Sequence, residues 1–429
     1  MKLTLAFHGS RGDVQPGIAL GVELEKRGHD VVLAVPPNMV EFASRSGLDA
    51  RPCGVDTAQL LASPVVQRDM NSRNPIRRLA AITEMTVGGG RLARRQLLTY
   101  TEDSAAIIGG SVGQESALDV ADLRGVPYVP VHFCPVRRNG SVSILPLPRW
   151  SPPWMHRAGW TALDRILRLA SRRADNRLRR ELGLAPMSTS IAVGLARSGV
   201  TEIQAYDVEL FPGLDSEWGS RRPLTGFLGP DEATRRAMDN GREPLPEDLR
   251  AWLRSGPAPV YVGFGSMSVP GGPATVDTIV SAVRRAGRRV VIAGGWADIG
   301  SRESADVVTI GSVDHTALFP LCEAVVHHGG AGSTAAGLRA GRPTLVCHVG
   351  ADQPMWGRRV VAAGVGAAVP ASGITDTRLD AALTVVLDPR IRDTATTLAT
   401  RLVPAADAVD RCADLVDHAT AHTPRLRVT

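Results

Sequence analysis

Apolar positions along this chain fall into two alternating rhythms. Lys2 to Phe7 is an apolar run that predicts a buried strand, the glycine-rich turn HGSRGDVQP follows, and Val14 to Arg27 carries apolar residues at helical spacing until Gly28 stops it. HDVVLAVP predicts a second strand, NMVEFASRSG a short helix and LDARPCG a third strand. Strands alternating with helices in this way specify a doubly wound parallel sheet. From about Val65 to Trp160 the rhythm weakens, and short apolar runs (Ala105 to Ile108, Val126 to Val131) alternate with Pro-rich and Gly-rich stretches that read as loops of a binding surface.

Trp160 to Leu184 restores a helical period, with Leu163, Ile166, Leu167, Ala170, Ala174 and Leu178 on one stripe and Arg165, Arg168, Arg172 and Arg179 opposite, read as a solvated basic face or as one drawn to an anionic membrane. The polar run GFLGPDEATRRAMDNGREPLP then reads as an interdomain linker. A second series of strands follows, PVYVGFGS, RRVVIAGG, VVTIGS, EAVVHHGG and PTLVCHV, and the chain ends in an amphipathic helix over Leu402 to Thr420. The expected fold is α/β, two Rossmann-like lobes in tandem. Residues 1–228 form the first lobe, 229–247 the linker, 248–403 the second lobe, and 404–429 a terminal helix and tail packing back on the first.

Composition fits two domains: 429 residues exceed what one core usually serves, and 44% are hydrophobic against 21% charged. The net charge of +6 is carried almost wholly by arginine, because Lys2 and Lys26 are the only lysines. The arginines are dispersed and aromatics make up 4%, which disfavours nucleic acid as a partner. Five widely spaced cysteines, without a C-x-x-C pair, suggest neither a disulfide framework nor a zinc site and point to a reducing cytoplasm. No signal peptide and no spanning apolar run are expected, so membrane contact would be peripheral, at the inner face.

The richest segment for chemistry is Val325-Val326-His327-His328-Gly329-Gly330-Ala331-Gly332-Ser333-Thr334, a strand running through glycines into a helix. Free amides at a helix start can hold a diphosphate, with His328, Ser333 and Thr334 as added donors; equally, the segment reads as an ordinary helix entry. Ser266, in VGFGSM, stands at the end of another strand, and Asp352-Gln353 follow PTLVCHV as a pair able to grip sugar hydroxyls. Parallel sheets bind ligands at the carboxyl ends of their strands, which places all three segments on one rim. In the first lobe Ser10, Arg11 and Asp13 hold the matching position, Asp13 reading either as a helix N-cap or as a general base.

Taken together, GSRGDVQP, VGFGSM, HHGGAGST and ADQP resemble the family 1 glycosyltransferases of the two-lobed GT-B fold. The likeness is to the bacterial and fungal branch that includes antibiotic, mycobacterial lipid and sterol glycosyltransferases. The resemblance implies Asp13 as catalytic base. It implies a diphosphate grip by His328, Gly329, Gly330, Gly332, Ser333 and Thr334, with Ser10, Arg11 and Ser266 beside it. It also implies Val313 of GSVDH at the nucleobase and Asp352 with Gln353 at the sugar. The implied reaction is inverting transfer of a sugar from a nucleotide diphosphate, dTDP or UDP, to a hydroxyl of a hydrophobic acceptor such as a lipid, glycopeptide or polyketide. The tryptophan and glutamate with which plant members hold uracil and ribose have no clear counterpart, which leaves the base open. Apolar pieces from Ile144 to Trp150 and from Pro153 to Met155 read as buried core or as the lining of an acceptor cleft.

Composition adds exclusions. Without a lysine beyond Lys26, a pyridoxal phosphate would lack its Schiff-base partner, so no phosphorylase of that kind is expected. Retaining members of the fold commonly carry two carboxyl-lobe glutamates eight positions apart, and the last glutamate here is Glu323. No D-x-D pair accompanies the phosphate elements, so neither metal nor cofactor is expected. A dinucleotide oxidoreductase is disfavoured because G-S-R-G-D is not the G-x-G-x-x-G fingerprint. The competing readings are a catalytically inactive nucleotide-sugar binding protein and a nucleotide-sugar epimerase on the same architecture.

Overall fold

The computed structural model describes residues 1–63, 74–144, 147–148, 150–265, 271–294 and 303–422. The chain divides into two compact units, one of residues 1–208, 212–240 and 403 onward, the other of 209–211 and 241–402.

The first unit is built on six parallel strands, β1 (Lys2–Ala6), β2 (Asp30–Val35), β3 (Asp49–Pro52), β4 (Ala106–Gly109), β5 (Tyr128–His132) and β6 (Ile203–Gln204), in the order 3-2-1-4-5-6. Leu3, Leu5 and Phe7 pack with Val14, Ile18 and Leu24 of the helix Arg11–Lys26. The terminal helix Ala405–His422 adds Ala408, Cys412 and Val416 to that same core. Arg27 fastens it from outside, donating to Asp414 (2.7 Å), Asp417 (3.0 Å) and Asp410.

Between residues 75 and 132 the loop reading gives way to regular structure. A long helix, Pro75–Tyr100, precedes β4, and the helix Gln114–Arg124 joins β4 to β5, so the strand-helix alternation continues. These elements escape the periodicity test for a physical reason. Strands β4 and β5 are buried along their whole length and show no polar alternation, while the helix between them buries Ser116 and Asp119 among its apolar residues. The polar run read as a linker likewise contains a helix, Glu232–Met238, started by Asp231 accepting from the Thr234 amide at 2.7 Å.

The helix expected from Trp160 begins earlier and spans Pro153–Glu181. Its faces are not those the stripe predicts. Arg179 is 1% exposed and donates to Asp119 (2.5 Å) and Asp122 (2.7 Å), while Arg94 donates to the other Asp119 oxygen at 2.6 and 2.8 Å. Arg168 turns its guanidinium to the Met187 carbonyl. Ile166, Leu167 and Leu169, by contrast, are exposed. The helix is held by buried charge pairs, and much of its apolar surface stays outside. Of the two apolar pieces read as core or cleft lining, Leu145, Pro146 and Arg149 lie outside the described residues, and Trp150 and Trp154 are exposed.

The second unit repeats the topology. Strands β7 (Val260–Gly263), β8 (Val290–Ala293), β9 (Glu303–Ser304), β10 (Val307–Ile310), β11 (Ala324–His327), β12 (Thr344–His348) and β13 (Gly366–Pro370) stand in the order 13-12-11-7-8-10-9. All neighbours are parallel except the short edge strand β9. Setting β9 aside, the six parallel strands again follow the 3-2-1-4-5-6 order, and the two-lobed GT-B architecture is therefore two Rossmann-type sheets in one chain. Val260, Val262, Ile292, Val326 and Leu345 form the centre of the second core.

Candidate functional site

In the first unit, the chain leaves β1 through Phe7, His8 and Gly9 and enters the helix Arg11–Lys26 with Ser10 as N-cap. Asp13 is therefore the third residue of the helix and not its cap. Its Oδ2 accepts from the Ser10 amide at 2.9 Å and lies 3.3 Å from Ser10 Oγ. This reciprocal contact turns the carboxylate back over the loop. Gly9 makes the approach possible: its φ is +121°, and a Cβ there would stand 2.3 Å from Asp13 Oδ2. Asp13 stays half-buried at the carboxyl end of β1. Arg11 is held to the side, its Nε donating to Gln15 (2.9 Å) and its guanidinium 4.7 Å from the Phe42 ring.

The neighbouring rim holds a network that the motif reading missed. His132, at the end of β5, is wholly buried, with Nδ1 2.8 Å from Ser111 Oγ and Nε2 3.2 Å from Glu202. Glu202 also accepts from Arg137 (2.5 Å) and Arg222 (2.8 Å). Burial works against the Glu202 charge, but Arg137, His132 and Arg222 outweigh it and hold the carboxyl well below the usual range. Burial, with Arg137 adding to it, lowers His132 to about 4, so at neutral pH the ring carries one proton. That proton belongs on Nε2 facing the carboxylate, which makes Nδ1 the acceptor of the Ser111 hydroxyl. Although the network has the residue types of a hydrolytic triad, two arginines on Glu202 and a histidine this weakly basic do not make a strong base. The available signal was the histidine that closes the apolar run ending at Val131.

In the second unit the ends of β7, β11 and β12 converge. His328 follows β11, and its ring is framed by two glycines: a Cβ on Gly265 would lie 3.4 Å from Cε1, and one on Gly330 would lie 2.7 Å from Nε2. Gly329 adopts φ +93°, and a Cβ there would meet Val346 of β12 at 2.6 Å and Gln353 at 3.2 Å. The glycines thus let the turn pass between a strand and the Asp352-Gln353 segment. The turn delivers the chain into the helix Ala331–Arg339, whose first amides, from Ala331 to Ser333, have no acceptor within the helix. Burial lowers His328 to about 4, so the ring is neutral at pH 7, and its Nδ1 is buried without a partner. His327 is turned inward and accepts from the Gly329 amide at 2.8 Å.

Other candidate residues divide. The buried Thr334 hydroxyl donates to the Gly330 carbonyl (2.9 Å), so its proton is committed to the helix start. Gln353 is 4% exposed, and its Oε1 accepts from the Val349 (2.8 Å) and Gly350 (3.2 Å) amides, leaving its NH2 as the group it can offer. Asp352 accepts from the indole of Trp356 at 2.8 Å, and burial raises its carboxyl. Ala351, just before the pair, has φ +54°, a conformation that costs a non-glycine residue energy and is concentrated at ligand sites. Val313 lies half-buried in the turn after β10, beside Asp314. Ser266 lies outside the described residues. Among the described residues, no three His, Cys, Asp or Glu side chains gather as an ion site.

One Rossmann-type unit thus presents a glycine-lined helix start beside a neutral histidine, and the other a carboxylate held over its first loop. The model of the glycosyltransferase family 28 N-terminal domain matches residues 3–129, and that of the erythromycin biosynthesis protein CIII-like C-terminal domain matches residues 292–419. An uncharacterised glycosyltransferase of Mycobacterium tuberculosis is 37% identical, over 98% of this chain and 99% of its own. The vancomycin aglycone glucosyltransferase of Amycolatopsis orientalis is 31% identical over 93% of each. Among solved structures, the glycosyltransferase VinC in complex with dTDP superposes with a TM-score of 0.63 at 20% identity, covering 98% of this chain and 100% of its own. The chain belongs to the family 1 glycosyltransferases of GT-B fold, and it is a glycosyltransferase.

Proposed function

We propose that this enzyme transfers a hexose, with inversion and without a metal, from a dTDP- or UDP-sugar to a hydroxyl of a hydrophobic acceptor. Two observations support the reading: the Ala331–Arg339 helix begins in a glycine-lined turn beside a buried His328 nitrogen without a partner, and the Asp13 carboxylate is oriented by the Ser10 amide. Asp13 takes the acceptor proton as the oxygen attacks the anomeric carbon opposite the departing diphosphate. The amides from Ala331 to Ser333, with His328 and Ser333, neutralise the leaving charge, a term that grows as the bond breaks and so lowers the barrier. Ser10, Arg11 and Ser266 are secondary diphosphate contacts. Val313 meets the base through its backbone, and Asp352 with the Gln353 NH2 holds the sugar. The dTDP bound to VinC and the aglycone substrate named for the Amycolatopsis enzyme support this donor and acceptor class. None of the five cysteines is in a disulfide, which suits a cytoplasmic enzyme.

Titration of dTDP and UDP into wild type and His328→Ala tests the donor half. A hydrogen bond to a charged group is worth about 1.5 to 3 kcal/mol, which corresponds to a roughly 10- to 150-fold weaker Kd in the variant. Transfer should fall with it, and EDTA should change neither. Unaltered affinity, or activity lost to chelator and restored by magnesium, would mean that the leaving charge is neutralised elsewhere.

A further inference from the structure

The outward face of the helix Pro153–Glu181 presents an arrangement that the transfer reaction does not use. Trp154 is 65% exposed, Ile166 53% and Leu169 75%, and Trp150, just before the helix, is 79% exposed. At 100° per residue these three helix positions fall on one side, together with the exposed Arg165, Arg172, Arg173 and Arg180. Apolar groups dominate the first half of that face and guanidinium groups the second. The helix has only three acidic residues, and none lies on this face: Asp164 accepts from Ser190 at 2.8 Å, Asp175 is buried, and Glu181 accepts from Arg91 at 2.6 and 2.8 Å. Arg168 and Arg179, which the sequence places among the basic residues, point inward and take no part.

We propose that this face docks the enzyme on an anionic lipid bilayer, the indole and aliphatic side chains entering the interfacial layer and the arginines meeting the lipid phosphates. Charge decides the occupant. A second copy of this chain would bring guanidinium groups against each other with no carboxylate on the face to compensate them, whereas an anionic surface meets both halves of the pattern. No helix among the described residues is long and apolar enough to cross a membrane, so contact through these residues is of the surface kind. Docking would bring the unit that carries Asp13 to a lipid acceptor. The proposal leans on the reading above only for that purpose, since docking itself is measured without donor or acceptor.

The test is flotation of the full chain with vesicles of phosphatidylcholine alone and of phosphatidylcholine with phosphatidylglycerol, at low and high salt. Wild type should float with the anionic vesicles, stay behind with the neutral ones, and lose binding as salt shortens the screening length. Changing Arg165, Arg172, Arg173 and Arg180 to glutamine, or Ile166 and Leu169 to serine, should each weaken binding at least tenfold. A control in which the exposed Arg285 and Arg390 of the other unit become glutamine should bind as wild type does. Titrated dTDP or UDP affinity should be the same in all four proteins, so a failure of docking is distinguishable from a failure of the transferase reading. Equal recovery under every condition would overturn the proposal, as would equal losses in the patch and control variants. A wild type that dimerises through this face and ignores vesicles would overturn it too.

Discussion

Asp13→Asn is expected to abolish sugar transfer while leaving affinity for the nucleotide within a few-fold of wild type. Asparagine keeps the shape of the side chain and can still meet the Ser10 amide through its carbonyl oxygen, so the loop geometry should survive. What it cannot do is take a proton. General-base assistance contributes ~10²- to 10⁴-fold, and the deficit should appear in kcat with every acceptor hydroxyl tested. Gly9→Ala probes the same group from the other side, because its Cβ would stand 2.3 Å from Asp13 Oδ2 and must displace the carboxylate. Steady-state rates with donor saturating are the measurement, and wild-type turnover in Asp13→Asn would remove Asp13 from the mechanism.

Asp119→Asn should produce the largest loss of stability among single changes distant from the chemistry. Asp119 is 3% exposed and is shared by two guanidinium groups that are themselves buried, Arg94 at 2% and Arg179 at 1%. Removing the carboxylate leaves one positive charge in excess with no water to receive it. Breaking a buried pair in this way costs about 3 to 5 kcal/mol, a large part of the ~5 to 15 kcal/mol that holds a typical domain folded. Urea unfolding followed by circular dichroism should show the midpoint falling sharply. Asp388→Asn, which removes the carboxylate partner of the exposed Arg390 but keeps an oxygen to cap the Pro389–Ala399 helix, should move the midpoint little. Equal midpoints for wild type and Asp119→Asn would show that the Pro153–Glu181 helix is anchored by something other than these ion pairs.

What could be read in the sequence and what could not separate along physical lines. Strands buried on both faces and ending in glycine, as in the runs to Phe7-His8-Gly9 and to His327-His328-Gly329-Gly330, announce themselves. The apolar run and the turn requirement are both local, and they located the two ends of the candidate chemistry. The doubling of the Rossmann pattern was legible for the same reason. Less legible was anything settled by a partner far away in sequence. Arg179 looks like a surface residue until Asp119 and Asp122 are brought to it. Most of the stripe on its helix then stays outside, because buried ion pairs, with Leu178, fix that helix. Ser111, His132 and Glu202 come from three separate strand ends, and no spacing rule connects them. Hydrogen positions were equally hidden. Thr334 looks like a phosphate donor in the motif, yet its proton goes to the Gly330 carbonyl, and Asp13 is the third residue of its helix because Ser10 takes the N-cap.

The stereochemistry of the product tests the central claim most directly. The wild-type enzyme would be incubated with dTDP-α-D-glucose and UDP-α-D-glucose and a set of sterol, phenolic and glycopeptide aglycones, with released nucleotide quantified and the product's anomeric proton assigned by NMR. The account predicts a β-linked glycoside formed in step with nucleoside diphosphate release, with both slowed ~10²- to 10⁴-fold in Asp13→Asn. An α-linked glycoside would contradict displacement assisted by Asp13 from the face opposite the diphosphate.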